Sequence, residues 1–244
     1  MTALVIDIGN TRVKWALADR NGLSQPSGAV GHEDVERLFA AWQSLPEAPD
    51  QLRLVSVIDR PLVSQIEDWA AQQWGVKTER VQTPAEGGGI RIAYPEPGQL
   101  GTDRWLAMVA AHAQGLLPAC IIDCGSAITL DVVDEAGLHR GGMILPGLAA
   151  QQAGLSQIAP ALPEADLNQP APLLARNTAD AVAAGLLQGT AAAIEGLCAR
   201  FTAETGLDLP TLLTGGDAAL LARYLDLDCC LHPELVLEGL LALD

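Results

Sequence analysis

One phrase occurs twice in this chain, and the pair constrains the fold more than any other feature. Residues 4–17 read LVIDIGNTRVKWAL and residues 120–133 read CIIDCGSAITLDVV. Each is an apolar run, then Asp-x-Gly, then a small polar residue and a second segment rich in apolar residues. A shift of 116 positions lays Asp7 on Asp123, Gly9 on Gly125, Asn10 on Ser126 and Thr11 on Ala127. A short apolar run bounded by turn residues suits a buried strand. Gly at the break lets the backbone turn tightly and brings its N–H groups close to an anion. An acidic residue at the strand end can hold a cation that screens phosphate charge. Two such hairpins predict two related lobes that grip one nucleotide. A single copy reads more readily as a plain hairpin turned at Gly and Asn, and the repetition is what favours phosphate.

Hydrophobic residues make up 49% of the 244, enough for one large domain or two modest lobes. The net charge of −16 argues against DNA, RNA or an anionic membrane as the main partner. It leaves ATP open, because local cations and backbone amides can overcome a distant repulsive field. The five cysteines are odd in number and contain no C-x-x-C, and zinc-finger spacing is absent. No stretch reads as a signal peptide or membrane span, so a reduced, cytoplasmic protein is expected.

Along the chain, apolar runs alternate with helical patterns, which indicates an α/β sheet. The hairpin at 3–18 is followed by a helix near 33–44, a strand at 52–58, a helix at 62–74 and a short strand at 76–82. Residues 84–101, PAEGGGIRIAYPEPGQLG, break this rhythm and read as a loop with a short extended piece at 90–94. A helix begins at Thr102, with Leu106, Val109, Ala110 and Ala113 as its apolar face. The second lobe opens with the hairpin at 119–134, continues through a strand at 137–147, and makes a Pro-rich excursion at 159–172. A long Ala-rich helix is predicted from about 178 to 204. A strand, a Gly-Gly turn and a helix follow in LPTLLTGGDAALLARYL, and 235–243 closes the lobe as a helix. The lobes are therefore set at 1–116 and 117–244.

Three groups of residues can carry chemistry. Asp7 is a candidate Mg²⁺ anchor acting through water, since Mg²⁺ keeps several waters when it bridges phosphates. The amides of Gly9, Asn10 and Thr11 would face those phosphates, with Lys14 as a further contact. In G-T-D-R-W (101–105), Thr102 reads as an N-cap that sets Asp103 and Arg104 in the first turn, where the helix dipole favours a carboxylate. A base beside a guanidinium at the end of a long loop suits a polar substrate, although Asp in a first turn is also ordinary. In T-G-G-D (214–217), the Gly pair permits close approach to a flat ring or ribose, or simply leads into a helix. His32, His112, His139 and His232 form no metal or triad pattern and read as structural or exposed. Neither a P-loop nor a G-x-G-x-x-G occurs.

Taken together, D-I-G-N-T-R-V-K-W (7–15), Y-P-E-P-G-Q-L-G-T-D-R-W (94–105), I-D-C-G-S-A-I-T (122–129), G-G-M-I-L-P-G (141–147), N-T-A-D-A-V-A-A-G (177–185) and T-G-G-D-A (214–218) resemble the type III pantothenate kinases. The resemblance runs nearly end to end. It implies an α/β fold of two related lobes, the actin-like ATPase (ribonuclease H-like) fold, with a duplicated β-hairpin phosphate-binding core. It implies ATP-dependent phosphorylation of pantothenate at the start of coenzyme A synthesis. By position, Asp103 would be the base that accepts the hydroxyl proton, with Gly101, Thr102 and Arg104 binding substrate and Tyr94 and Thr178 lining its pocket. The resemblance also makes the protein a homodimer, with Thr178 contributed by the partner subunit. Asp7, Ile8, Gly9, Asn10, Thr11, Arg12, Val13, Lys14 and Ser126 would bind ATP, with Gly215 and Gly216 on the adenosine side. Asp123 would ligate a monovalent cation, K⁺ or NH₄⁺. Ser126 stands where family members often carry Thr, and it keeps the hydroxyl. The alternatives are another small-molecule kinase of the superfamily, or a nucleotide-responsive transcriptional accessory factor without turnover.

Overall fold

Each repeated phrase folds into an antiparallel hairpin and seeds its own sheet. The computed structural model describes residues 2–58 and 61–243. In the first sheet, β1 (Ala3–Ile8) pairs with β2 (Arg12–Asp19), which pairs with β3 (Gly22–Gly31). On its other side β1 takes β4 (Gln51–Ser56) in parallel, followed by β5 (Thr78–Arg80), giving the order β3-β2-β1-β4-β5. Leu4, Val5, Ile6 and Ile8 are all fully buried, as a central strand covered on both faces requires.

Between the strands of this unit run α1 (Val35–Gln43), α2 (Pro61–Trp74) and α3 (Thr102–Ala113). Leu38 and Trp42, four residues apart on α1, turn inward together. Trp42 meets Trp15 edge-on at 6.2 Å, while Phe39 stacks on Trp69 of α2 at 5.0 Å, so aromatic area supplies much of this core. α3 departs from the single apolar face expected of it, because every residue from Arg104 to Ala111 is buried.

The Gly-rich 84–101 segment is more ordered than a loop. Its β6 (Glu86–Gly87) and β7 (Ile90–Arg91) form a small hairpin turned at Gly88 and Gly89, both at positive φ. A Cβ on Gly88 would come within 2.6 Å of Val109, and one on Gly89 within 2.0 Å of His112. These glycines therefore let the hairpin lie against α3.

The second sheet repeats the first in order and direction. It contains β8 (Ala119–Cys124), β9 (Ala127–Val133), β10 (His139–Pro146), β11 (Thr211–Thr214) and β12 (Cys229–Leu231), ordered β10-β9-β8-β11-β12. Duplication thus extends past the hairpins to five strands. Its helices are α4 (Leu148–Ile158), α5 (Thr178–Thr205) and α6 (Ala218–Leu221). α5 begins where the Asn177 side chain accepts the Asp180 N–H at 2.9 Å and ends on Gly206 at φ 70. By length and apolar composition α5 would suffice to cross a membrane, but half of its most apolar window is buried, with Leu187 and Ile194 in the core beside Leu130 and Leu213.

The chain divides into Met1–Leu116 with Glu234–Asp244, and Leu117–Pro233. The first boundary falls at 116, but the expected second lobe of 117–244 ends too late. The closing helix, α7 (Leu235–Leu241), packs on α3. Gly239 approaches so closely that a Cβ would lie 2.1 Å from the Leu106 carbonyl oxygen. Arg53 Nη1 on β4 donates to the Leu240 carbonyl at 3.2 Å, which satisfies an orphan acceptor at the helix end.

Candidate active site

The two Asp-x-Gly turns share a plan but not a register. In the first, Asp7 lies opposite Lys14 and Ile8 opposite Val13, and the Gly9 N–H donates to Arg12 O at 3.0 Å. In the second, Asp123 lies opposite Thr129 and Cys124 opposite Ile128, and the Gly125 N–H donates to Ala127 O at 3.0 Å. The first turn is one residue longer. Arg12, rather than Thr11, is therefore the structural counterpart of Ala127, and the simple shift of 116 holds only as far as the turn. Neither Gly9 nor Gly125 has positive φ, and a Cβ on either would find its nearest neighbour at 3.5–3.6 Å. The protein's own backbone does not demand glycine at these points.

Asn10, Thr11 and Arg12 are exposed at the tip of the first turn, while Ile8 and Val13 anchor it in the core. Asp7 and Lys14 are half-buried at its base. A polar hollow of about 740 Å³ is lined by residues that include Asn10, Thr11, Arg12, His32 and Arg37. His32, which sequence reasoning set aside as structural or exposed, has its Nε2 3.1 Å from the Gly9 carbonyl oxygen. Only its place in the chain hints at this. The Arg12↔Gly31 pairing of β2 with β3 delivers it beside the turn.

In the same unit, the second group gathers at the start of α3. Gly101 occupies the N-cap position and Thr102 is the first helical residue, so the expected Thr102 cap is corrected. The Thr102 hydroxyl instead lies 3.0 Å from Thr83 Oγ1, which donates to Leu100 O at 3.0 Å. Half-buried Asp103 accepts the Arg104 N–H at 2.8 Å, and the helix N-terminus favours its charge. A Cβ on Gly101 would sit 2.5 Å from Asp103 Oδ1, so glycine there gives the carboxylate room. Arg104 is buried, donates to the Tyr94 hydroxyl at 3.3 Å, and holds its guanidinium 5.9 Å from the Tyr94 ring centre. Tyr94, Gly101, Thr102, Asp103 and Arg104 thus form one cluster, which joins a carboxylate to a buried cation at the end of the hairpin-bearing loop.

In the second unit, Asp123 is half-buried and Ser126 exposed at the turn. Two later segments brace this turn. Gly147, which opens α4, donates its N–H to Ser126 O at 3.2 Å, and a Cβ there would lie 2.2 Å from Gly125 O. Gly215 at φ +94 approaches so closely that its Cβ would fall 2.3 Å from Asp123 Oδ1, while the Asp217 N–H donates to Cys124 O at 2.9 Å. Gly216 is exposed, with nothing within 4 Å of where its Cβ would be. Thr178 is exposed as the first residue of α5, on an apolar hollow of about 280 Å³ shared with Leu155, Leu162 and Val182.

Burial, aided by the negative charges of Asp123 and Asp217, pushes the Cys124 thiol up to about 12. It is therefore an uncharged packing group beneath the turn.

The sequence profile of the type III pantothenate kinases matches residues 3–200. The chain belongs to the type III pantothenate kinase family. A type III pantothenate kinase of Nitrosococcus oceani is 35% identical, covering 97% of this chain and 91% of that protein. One from Halorhodospira halophila is 33% identical, covering 98% and 96%. Among solved structures, a putative Baf family transcriptional activator of Campylobacter jejuni superposes with a TM-score of 0.60 at 20% identity, covering 97% of this chain and 94% of that one. The activator of 2-hydroxyisocaproyl-CoA dehydratase from Clostridium difficile, with bound ADPNP, gives 0.55 at 11%, covering 100% and 92%. These structural likenesses establish the fold, which is that of the actin-like ATPases. The matched residues 3–200 take in both Asp-x-Gly turns, the Tyr94–Trp105 stretch and the Gly147 brace.

Proposed function

We infer that this chain phosphorylates pantothenate with ATP, giving phosphopantothenate, the first step towards coenzyme A. Family membership over most of the chain carries this reading. The Tyr94–Asp103–Arg104 cluster supports it, because it offers a base and a polar anchor for an acidic hydroxylated substrate.

We assign the residue roles that the family resemblance implies. The amides of Gly9, Asn10 and Thr11, flanked by Ile8, Arg12, Val13 and Lys14, take the phosphates of ATP, with Ser126 as a further hydroxyl donor. Gly215 and Gly216 lie on the adenosine side, and the open space at Gly216 supports that. Asp103 accepts the pantothenate hydroxyl proton as the oxygen attacks the γ-phosphorus, while Gly101, Thr102, Arg104 and Tyr94 orient that hydroxyl. Phosphoryl transfer has a loose transition state, so positioning and charge neutralisation make up most of what these residues contribute. A carboxylate of ordinary basicity suffices when the proton leaves late.

The donor atoms fit the expected cations. A Mg²⁺ that bridges phosphates needs only one or two carboxylates, with waters and the phosphates supplying its other ligands. Asp7 would hold it through water. At the second turn, Asp123 Oδ1 and the Cys124 carbonyl oxygen both crowd the Gly215 Cβ position, and such oxygens could coordinate K⁺ or accept the N–H bonds of NH₄⁺. Held by Asp7 and Asp123, such ions would supply positive charge against the triphosphate.

The apolar hollow that Thr178 shares with Leu155, Leu162 and Val182, and the exposed Ile158, Leu173 and Leu174 elsewhere on the same unit, support a homodimer, with Thr178 serving the partner's substrate pocket. We place the reaction in the cytoplasm, in keeping with five cysteines that form no disulfide.

A coupled ADP-release assay with and without pantothenate tests the function. ADP release should require pantothenate, and Asp103→Asn should lower kcat by roughly 10²–10⁴ while ATP affinity stays near normal. Release unaffected by pantothenate removes the substrate assignment, and near-normal turnover of the variant removes the base.

A further inference from the structure

We propose that His32 is a positioning residue for ATP: by holding the Gly9 carbonyl, it fixes the peptide plane that presents the Asn10 N–H to phosphate. The proposal rests on the reading that the 7–14 turn binds ATP.

A carbonyl oxygen can only accept, so His32 Nε2 must be the donor across the 3.1 Å contact, as a neutral Nε2–H tautomer or as imidazolium. The Gly9–Asn10 bond is not among the cis peptides of the chain. In a planar trans peptide the C=O of one residue and the N–H of the next point in opposite directions. Drawing the Gly9 oxygen towards the imidazole therefore turns the Asn10 N–H to the other side of the turn. Glycine makes this fixation necessary. With no Cβ, Gly9 can rotate its following peptide plane into regions closed to other residues, and no contact of its own side chain resists. The Gly9 N–H is already committed to Arg12 O at 3.0 Å. One end of the glycine is held within the turn, and the other is held by His32.

The brace comes from outside the hairpin. β3 leaves the sheet at Gly31, opposite Arg12, and the next residue reaches back over the turn. A donor to a peptide carbonyl also polarises the peptide, which strengthens its N–H as a donor. The second turn carries no histidine. There the Asp217 N–H takes the carbonyl of Cys124, and the Gly147 N–H takes that of Ser126.

The test uses the full-length chain, with KM for ATP, KM for pantothenate and kcat measured for His32→Leu, His32→Gln and His32→Asn. Water from the adjoining hollow can solvate the freed carbonyl, so the loss is modest. His32→Leu should raise the ATP KM roughly three- to tenfold and leave the pantothenate KM unchanged. His32→Gln, whose amide nitrogen falls near the place of Nε2, should restore the ATP KM to within about twofold of wild type. His32→Asn, whose nitrogen falls near the place of Nδ1, should not. An ATP KM that Leu leaves unchanged, or that Gln and Asn alter equally, overturns the proposal, and the Gln–Asn comparison decides if the Leu variant fails to fold. Asp7→Asn and Lys14→Ala are assayed alongside. If neither changes the ATP KM, the turn is not the ATP site and the role of His32 falls with it. If they raise it while the His32 series stays flat, only the role of His32 is lost.

Discussion

Gly215→Ala probes how the second Asp-x-Gly turn is held. Gly215 has φ +94, and a Cβ there would lie 2.3 Å from Asp123 Oδ1 and 2.6 Å from the Cys124 carbonyl oxygen. A residue with a Cβ costs about 1–2 kcal/mol in that backbone region. The Asp123 carboxylate can swing aside, but the Cys124 carbonyl belongs to β8 and accepts the Asp217 N–H at 2.9 Å. Relieving the overlap strains that hydrogen bond, which adds about 1 kcal/mol. A total of about 2–3 kcal/mol lowers Tm by about 4–12 °C in a chain of this size. Gly216→Ala is the matched control, since nothing lies within 4 Å of its Cβ position, and its Tm should stay within about 2 °C of wild type. Its ATP KM should nevertheless rise if that open space takes the nucleotide. Thermal melts followed by circular dichroism give the first quantity, and ADP release gives the second. A Gly215→Ala protein that melts with the wild type, or a control that melts equally low, refutes the reasoning.

Two further outcomes follow from the same turn. Wild-type activity should depend on K⁺ or NH₄⁺, and Asp123→Ala should show equal residual activity in potassium and in a buffer of bulky organic cations; a wild type indifferent to the cation refutes the assignment. Burial raises the folded Cys124 thiol from its ordinary 9.0 to about 12, so the unfolded chain loses that proton first. The stabilisation is complete below pH 9.0 and is lost as pH rises towards 12. Calorimetry should show a shallower alkaline decline in Tm for Cys124→Ala, and an unchanged slope counts against it.

The hairpins, the α/β alternation and the α5 boundaries were legible because each is a local signal: apolar runs broken at Gly, and Asn177 and Gly206 at the ends of a helix. β3 was not. Its sequence GLSQPSGAVG has little strand propensity, yet it lies at a sheet edge, where Pro26 removes no ladder hydrogen bond that the strand needs. The end of the second lobe was misplaced for a similar reason. Nothing in LVLEGLL reveals that Gly239 will seat against the α3 backbone rather than on the nearer sheet. The Tyr94–Arg104 contact was legible only as proximity in sequence, whereas its hydrogen bond depends on how β7 and the Pro97 turn fold the loop back.

The duplication carries a further lesson about what repetition can and cannot specify. Both copies place an acidic residue at the strand end and a glycine two residues later, and both sheets keep one strand order. The extra residue in the first turn changes what must support it. The shorter second turn is clamped by backbone, with Gly147 and Gly215 stripped of side chains so that their segments can approach. The longer first turn is reached instead by a side chain, His32, delivered from the strand that pairs with its outgoing arm. The braces lie 22 and 90 residues downstream of Gly125 at Gly147 and Gly215, and 23 downstream of Gly9 at His32. A hairpin's own sequence cannot announce partners at such distances. The turn chemistry is therefore written twice, while its stiffness is written once for each copy, elsewhere in the chain and by different means.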